Sequence, residues 1–137
     1  MSIHIINNVW IGTYDFLMEN QNKEVLMDFD TIINLCSVTY SSNLCQIVNK
    51  PMGMPIPDHE EKFSLLIENL TNYINRLVEK EERILIVCRF GSQYAPLVLL
   101  QYLITHLYMS KNEAMKLIKE KCEKEKIYVN WNYTGFN

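Results

Sequence analysis

The sequence predicts an α/β domain, a sheet with helices on both faces, and three observations lead to it. Apolar residues recur at helical spacing from Phe63 through Leu66, Ile67, Leu70, Ile74 and Leu77 to Val78. Soon after comes Ile84 to Val87, a short uninterrupted apolar run of the kind a sheet covered on both faces buries. Two further helical segments follow, so strands and helices alternate along the chain. No internal repeat, low-complexity tract or linker-like shift in composition breaks residues 1–137, which are read as one domain.

The elements follow in order. Ile3 to Ile11 mixes β-branched and aromatic residues around the turn pair Asn7-Asn8, the pattern of a short strand pair. Gly12-Thr13 ends it, and the Thr13 hydroxyl is placed to cap a short helix over Tyr14 to Glu19. Thr31 to Cys36 is a second buried strand and Gln46 to Val48 a third. After the long helix that starts near Phe63, Glu79 to Arg83 is a charged surface connector. Beyond the Ile84–Val87 strand, a helix opens with Pro96 in its first turn, where the missing amide hydrogen has no partner to lose. It is apolar nearly all round, so it belongs in the middle of the fold. Ser110-Lys111-Asn112-Glu113 is a capping box, and Ala114, Met115, Ile118 and Cys122 give the last helix one buried face.

The chain of 137 residues is long enough to bury a core without disulfides or metal. A net charge of -3 offers no global attraction to nucleic acid or to an anionic membrane, and neither is expected as a partner. The longest apolar stretch, Leu97 to Leu107, is interrupted by Gln101, Thr105 and His106 and is too short to cross a bilayer. No basic segment precedes an apolar run at the start, so the expected location is the cytoplasm or nucleus, without secretion. Cys36, Cys45, Cys88 and Cys122 form no Cys-x-x-Cys pair and are expected as thiols. His4, His59 and His106 have no ligand spacing around them, so no metal and no cofactor is expected. Simple burial is the reading for Cys36, Cys45 and Cys122.

The chemistry-bearing stretch is Ile84 to Pro96: a buried strand, a loop headed by Cys88, then a helix start. Such a turn points successive backbone amides and the positive end of a helix at one spot, which binds an oxyanion without any side chain. Gly91 gives the loop room to bend. A cysteine at its head has its thiolate stabilised by the same amides, and the thiolate is the nucleophilic form. This stretch resembles the phosphate-binding loop of the cysteine-dependent protein tyrosine and dual-specificity phosphatases, His-Cys, five residues, Arg, then Ser or Thr. The resemblance extends over almost the whole chain, through the early Asn-Asn-Val-Trp-Ile-Gly, Asp58 about thirty residues before Cys88, Tyr108 to Ala114, and the closing Asn132 to Phe136, which is similar to the family's terminal segment cut short. It implies a dual-specificity-phosphatase-like fold whose central sheet is mostly parallel.

The resemblance also implies roles. Cys88 matches the nucleophile, Asp58 in Pro55-Ile56-Pro57-Asp58 matches the aspartate that protonates the leaving oxygen, and Cys88, Arg89, Phe90, Gly91, Ser92, Gln93 and Tyr94 form the phosphate-binding loop. Asp58-His59-Glu60-Glu61 is equally a helix N-terminal capping pattern. Three positions depart from the family: Val87 replaces His, Tyr94 replaces the phosphate-gripping Arg, and Ala95 replaces the hydroxyl residue. A phenol cannot fork two hydrogen bonds onto a phosphoryl group, and losing that pair costs roughly 3 to 6 kcal/mol. An arginine supplied to phosphoryl transfer is worth about three to five decades in rate. Arg89 adds a positive charge beside Cys88; it either contacts a phosphate from the loop's outer edge or points to solvent. Tyr94 is expected to fold over the loop and fill the pocket, with Arg89 able to stack on an aromatic face.

Three functions stay open on these residues. One is a catalytically impaired dual-specificity phosphatase-like protein, a pseudophosphatase that binds phosphoprotein or competes with an active phosphatase or kinase-pathway protein. Another is a weakly active or specialised phosphatase using Cys88 and Asp58. The third is an interaction or assembly module with a vestigial loop. The sequence leaves the oligomeric state open.

Overall fold

The computed structural model describes residues 1–52, 60–89, 94–129 and 131. Strands β1 (Ser2–Ile6) and β2 (Val9–Thr13) precede helix α1 (Tyr14–Glu19) and a 3-10 turn over Glu24–Asp28. Strands β3 (Thr31–Asn34) and β4 (Gln46–Asn49) lead to α2 (Glu60–Glu79) and β5 (Ile84–Cys88), and α3 (Tyr94–His106) and α4 (Lys111–Glu123) close the fold. The five strands form one sheet in the order β1-β2-β5-β3-β4. Among the described residues only β1 and β2 run antiparallel, joined through Asn7 in the left-handed region at φ 48°. The other neighbours, β2 with β5, β5 with β3 and β3 with β4, are parallel. The expected α/β class with a mostly parallel sheet is the observed one.

The central strand explains the layers. All five residues of β5 are buried, and their side chains alternate between two cores. Ile84, Ile86 and Cys88 pack with α2, α3 and α4, whereas Leu85 and Val87 pack with Phe16 and Leu17 of α1, Leu26 of the 3-10 turn and Phe29. Helix α3 lies between α2 and α4, which accounts for its apolar surface on nearly every side. Gly12 lies at a close approach: a Cβ there would be 3.0 Å from a Leu85 methyl and 3.2 Å from the Met1 carbonyl oxygen, so both neighbours would have to shift.

Several boundaries differ from the expected ones for local reasons. The long helix runs through Glu79, which the sequence reading placed in the connector. It ends in a Schellman motif, with Glu82 N donating to Leu77 O at 3.1 Å and Glu81 N to Val78 O at 2.9 Å. Glu81 occupies the left-handed position, φ 61°, where glycine is favoured. Glu81→Gly is therefore expected to stabilise the protein by about 0.5–1 kcal/mol, the relief of strain exceeding the added unfolded-state entropy. Thermal unfolding checks it, and a lowered midpoint would contradict it.

Strand β3 stops at Asn34 because its side-chain carbonyl accepts from Cys36 N at 3.0 Å and turns the chain away. Both predicted caps are present: Thr13 Oγ1 accepts from Phe16 N at 3.3 Å, and Ser110 Oγ accepts from Glu113 N at 3.1 Å. The tail resemblance at Asn132 to Phe136 is outside the described residues. Among the described residues no helix is long and apolar enough to cross a membrane.

Candidate functional site

Parallel strands set down their C-terminal ends on one edge of a sheet, and ligand sites of open α/β folds form outside that edge. A cavity of about 680 Å³ opens there, and its described lining comes from the chain just past each parallel strand. Tyr14 and Asp15 follow β2; Leu35, Cys36, Ser37 and Val38 follow β3. Met52 follows β4, and Cys88, Arg89 and Tyr94 end β5 and begin α3. Thr13 pairs with Cys88 in the sheet, which brings the start of α1 beside the cysteine.

The segment after β3 is held by two asparagines. Buried Asn34 donates through Nδ2 to Val38 O and to Asn49 Oδ1, each at 2.9 Å. Asn49 accepts from Tyr40 N at 3.1 Å and donates to Tyr40 O at 3.0 Å. Tyr40 in turn donates through its hydroxyl to Leu17 O at 2.9 Å, tying the segment to α1. Met52 N donates to Leu35 O at 3.1 Å and seats the last wall. These bonds make the rim after β3 a fixed part of the scaffold rather than a free loop.

Of the predicted site residues, Cys88, Arg89 and Tyr94 come together in this cavity. Cys88 is the last residue of β5 and only 2% exposed, while Arg89 is exposed at the rim. Asp58 and His59, as well as Phe90, Gly91, Ser92 and Gln93, lie outside the described residues, and Glu60 and Glu61 of the capping pattern begin α2. Tyr94 departs from expectation in two respects. It is the first residue of α3 rather than a loop residue, two positions before Pro96. Its ring lies at the cavity wall, edge-on to Phe63 of α2 with centroids 6.2 Å apart, instead of filling the space. Packing against the core holds the ring aside.

Cys36 also departs from its sequence reading of simple burial, because it is half-buried at the cavity beside Cys88. Burial pushes its thiol from 9.0 up to about 11, the neighbouring Cys88 adds to the rise and Arg89 opposes it. Cys122, fully buried, is pushed up to about 11 by burial first and by Cys88 second. All four cysteines are unbridged. The raised value keeps Cys36 in the unreactive thiol form at pH 8, with the thiolate fraction growing about tenfold per pH unit until about 11. Iodoacetamide labelling of Cys36, read by mass spectrometry, is expected to accelerate in that proportion; a rate flat between pH 7 and 9 would contradict it.

Sequence reasoning did not find Tyr14, Asp15, Leu35, Ser37, Val38 or Met52. None carries a motif, and only the rule that parallel strands end on one edge would have gathered them. Among the described residues no group of three His, Cys, Asp or Glu side chains is placed to hold a metal ion.

The family model described as "Dual specificity phosphatase, catalytic domain" matches residues 9–136. The solved structure of human DUSP28 is similar with a TM-score of 0.70 at 12% identity, covering 96% of this chain and 86% of that one. A leucine rich repeat and phosphatase domain containing protein from Entamoeba histolytica is similar with a TM-score of 0.65 at 16% identity, covering 96% and 84%. OH1 from the Orf virus, described as a tyrosine phosphatase with triple substrate specificity, has a TM-score of 0.65 at 14% identity, covering 93% and 76%. Among curated proteins none matches the chain in sequence.

Proposed function

This chain belongs to the family of dual specificity phosphatase catalytic domains, and from that premise we propose that it is a pseudophosphatase, a domain that binds a phosphorylated protein and turns it over poorly or not at all. The observation that carries the reading is Tyr94. At the first position of α3, where the family motif has its arginine, the chain presents a phenol packed edge-on against Phe63. That ring supplies no positive charge to a phosphoryl group in transition. Val87 and Ala95, where the family has His and a hydroxyl residue, are both fully buried, so neither position offers polar help to the thiol. The cavity, the strand-end cysteine and Arg89 remain, which supports binding over turnover.

The partner is then a phosphorylated protein that is held or shielded, or one for which an active phosphatase competes. The test pairs two measurements on the full chain. Calorimetric titration is expected to favour a phosphopeptide over its unphosphorylated form, and p-nitrophenyl phosphate hydrolysis is expected at the level of buffer. Equal affinity for the two peptides would favour an interaction module with a vestigial loop. Weak turnover is the second reading, favoured by Cys88 and Arg89 lining one cavity. Hydrolysis that disappears in Cys88→Ser would establish it.

A further inference from the structure

Two methionines stand in water where the neighbouring positions are core. Met18 of α1 is 54% exposed and Met27 of the 3-10 turn 56%, while Leu17 and Leu26, each one position before them, are fully buried. Only Asn20 to Lys23 separate the two elements, folded into a turn by Lys23 N donating to Asn20 O at 3.0 Å and Leu26 N to Lys23 O at 3.1 Å. Both elements cover the same core, on the side of the sheet away from α2, α3 and α4. Their outward sides carry charge of one sign. Asp15 and Glu19 share the Met18 face of α1 at helical spacing, Glu24 stands in line with Met27 three positions on, and Asp28 is exposed beside it. Asp30 is answered by Arg83 at 3.4 Å, and Lys23 is the one cation from Tyr14 to Asp30.

We infer that the outward side of α1 and the 3-10 turn docks a protein segment rich in lysine or arginine, with apolar residues between its cations. The inference concerns a surface apart from the phosphate site and does not rest on that reading. Four carboxylates alone would be an ordinary solvated face, and exposed methionines alone would be ordinary scattered surface residues. Side by side they match one kind of partner. Methionine is unbranched and polarizable, so it adapts to an irregular surface, and the methylene stems of lysine and arginine pack on it while their charged heads reach the carboxylates. The charge of the rest of the chain points the same way. Residues 111–126, which form α4 and the turn after it, hold six lysines and four glutamates and pack on the opposite core. A cationic partner is therefore turned away from α4 and steered toward α1, and the carboxylates around Met18 and Met27 repel nucleic acid and anionic lipid.

The test is fluorescence anisotropy of the full chain with a short labelled amphipathic peptide of lysine and leucine. Two comparison peptides carry glutamate for lysine or serine for leucine. The lysine and leucine peptide is expected to bind at least about tenfold more tightly than either, and to weaken severalfold as salt rises from about 50 to about 500 mM. Glu19→Lys with Glu24→Lys, and Met18→Ser with Met27→Ser, all at exposed positions, should each lower its affinity about tenfold. Glu68→Lys with Glu123→Lys makes the same charge change on exposed positions of α2 and α4 and should alter it by no more than about threefold. Equal binding of the glutamate peptide, or equal loss in the α2 and α4 variant, would overturn the proposal and leave only a diffuse attraction to net charge. Binding to phosphatidylcholine vesicles through Met18 and Met27 would overturn it in favour of a lipid surface. Self-association seen in sedimentation and abolished by the methionine variant would overturn it in favour of a second copy of this chain. Circular dichroism checks that each variant is folded; should one pair fail, the other pair and the peptide comparison decide.

Discussion

Tyr94→Arg is expected to raise hydrolysis of p-nitrophenyl phosphate by about three decades or more, and the added activity should vanish when Cys88→Ser is combined with it. The structure makes this exchange cheaper than the neighbouring ones. Tyr94 is only partly buried at a cavity wall, and its removal costs one edge contact with Phe63, about 0.5–1.5 kcal/mol. A guanidinium at the first turn of α3 can turn toward the cavity that Cys88 lines. Restoring all three family positions together is a poorer experiment. Val87 and Ala95 are both 0% exposed, and Val87 sits among Phe16, Leu17 and Leu26. A polar group placed there without a partner costs about 1–3 kcal/mol of folding stability, which would confuse lost fold with absent chemistry. A folded Tyr94→Arg variant that stays at the buffer rate would mean that the loop does not hold a phosphoryl group in line with Cys88. The catalytic role implied by resemblance would then not transfer to this chain.

How far the sequence was legible follows from where its signals are local. The long helix, the buried β5 and both capping residues were readable because periodicity, burial on two faces and a Ser or Thr ahead of a helix are properties of a few adjacent residues. The loop was readable through resemblance, and so was its most consequential departure, Tyr94. What the ring does was not readable, because Phe63 is some thirty residues away and nothing in either segment announces the contact. The cavity was illegible for the same reason. Tyr14, Val38 and Met52 carry no motif and meet only because β2, β3 and β4 all point their ends at one edge. Cys36 shows the limit most plainly. Its sequence context gives an apolar strand end, and only the turn made by Asn34 puts its thiol beside Cys88.

That turn is where the largest expected loss of stability outside the apolar core lies. Asn34 is 0% exposed and bonds three groups at once: Cys36 N, Val38 O and Asn49 Oδ1. Asn34→Ala removes all three bonds and leaves a carbonyl and an amide to find partners in a partly closed rim. Each buried group stranded this way costs about 1–3 kcal/mol, and water reaching the half-buried Cys36 offsets part of it, so the net loss is expected near about 3 kcal/mol. For a chain of this length that lowers the unfolding midpoint by about 10 °C, measured by calorimetry. Asn49→Ala should cost less alone, and the double variant should cost less than the sum, since the two side chains share a bond. The same variant separates architecture from chemistry. If the asparagine pair holds the rim after β3, Asn34→Ala frees Cys36 from the burial that raises its thiol, and iodoacetamide labelling at pH 8 should quicken even well below the melting temperature. A stability loss under about 1 kcal/mol with unchanged labelling would mean that the backbone keeps this rim without the side chains, and the cavity's shape would then be a property of the sheet edge alone.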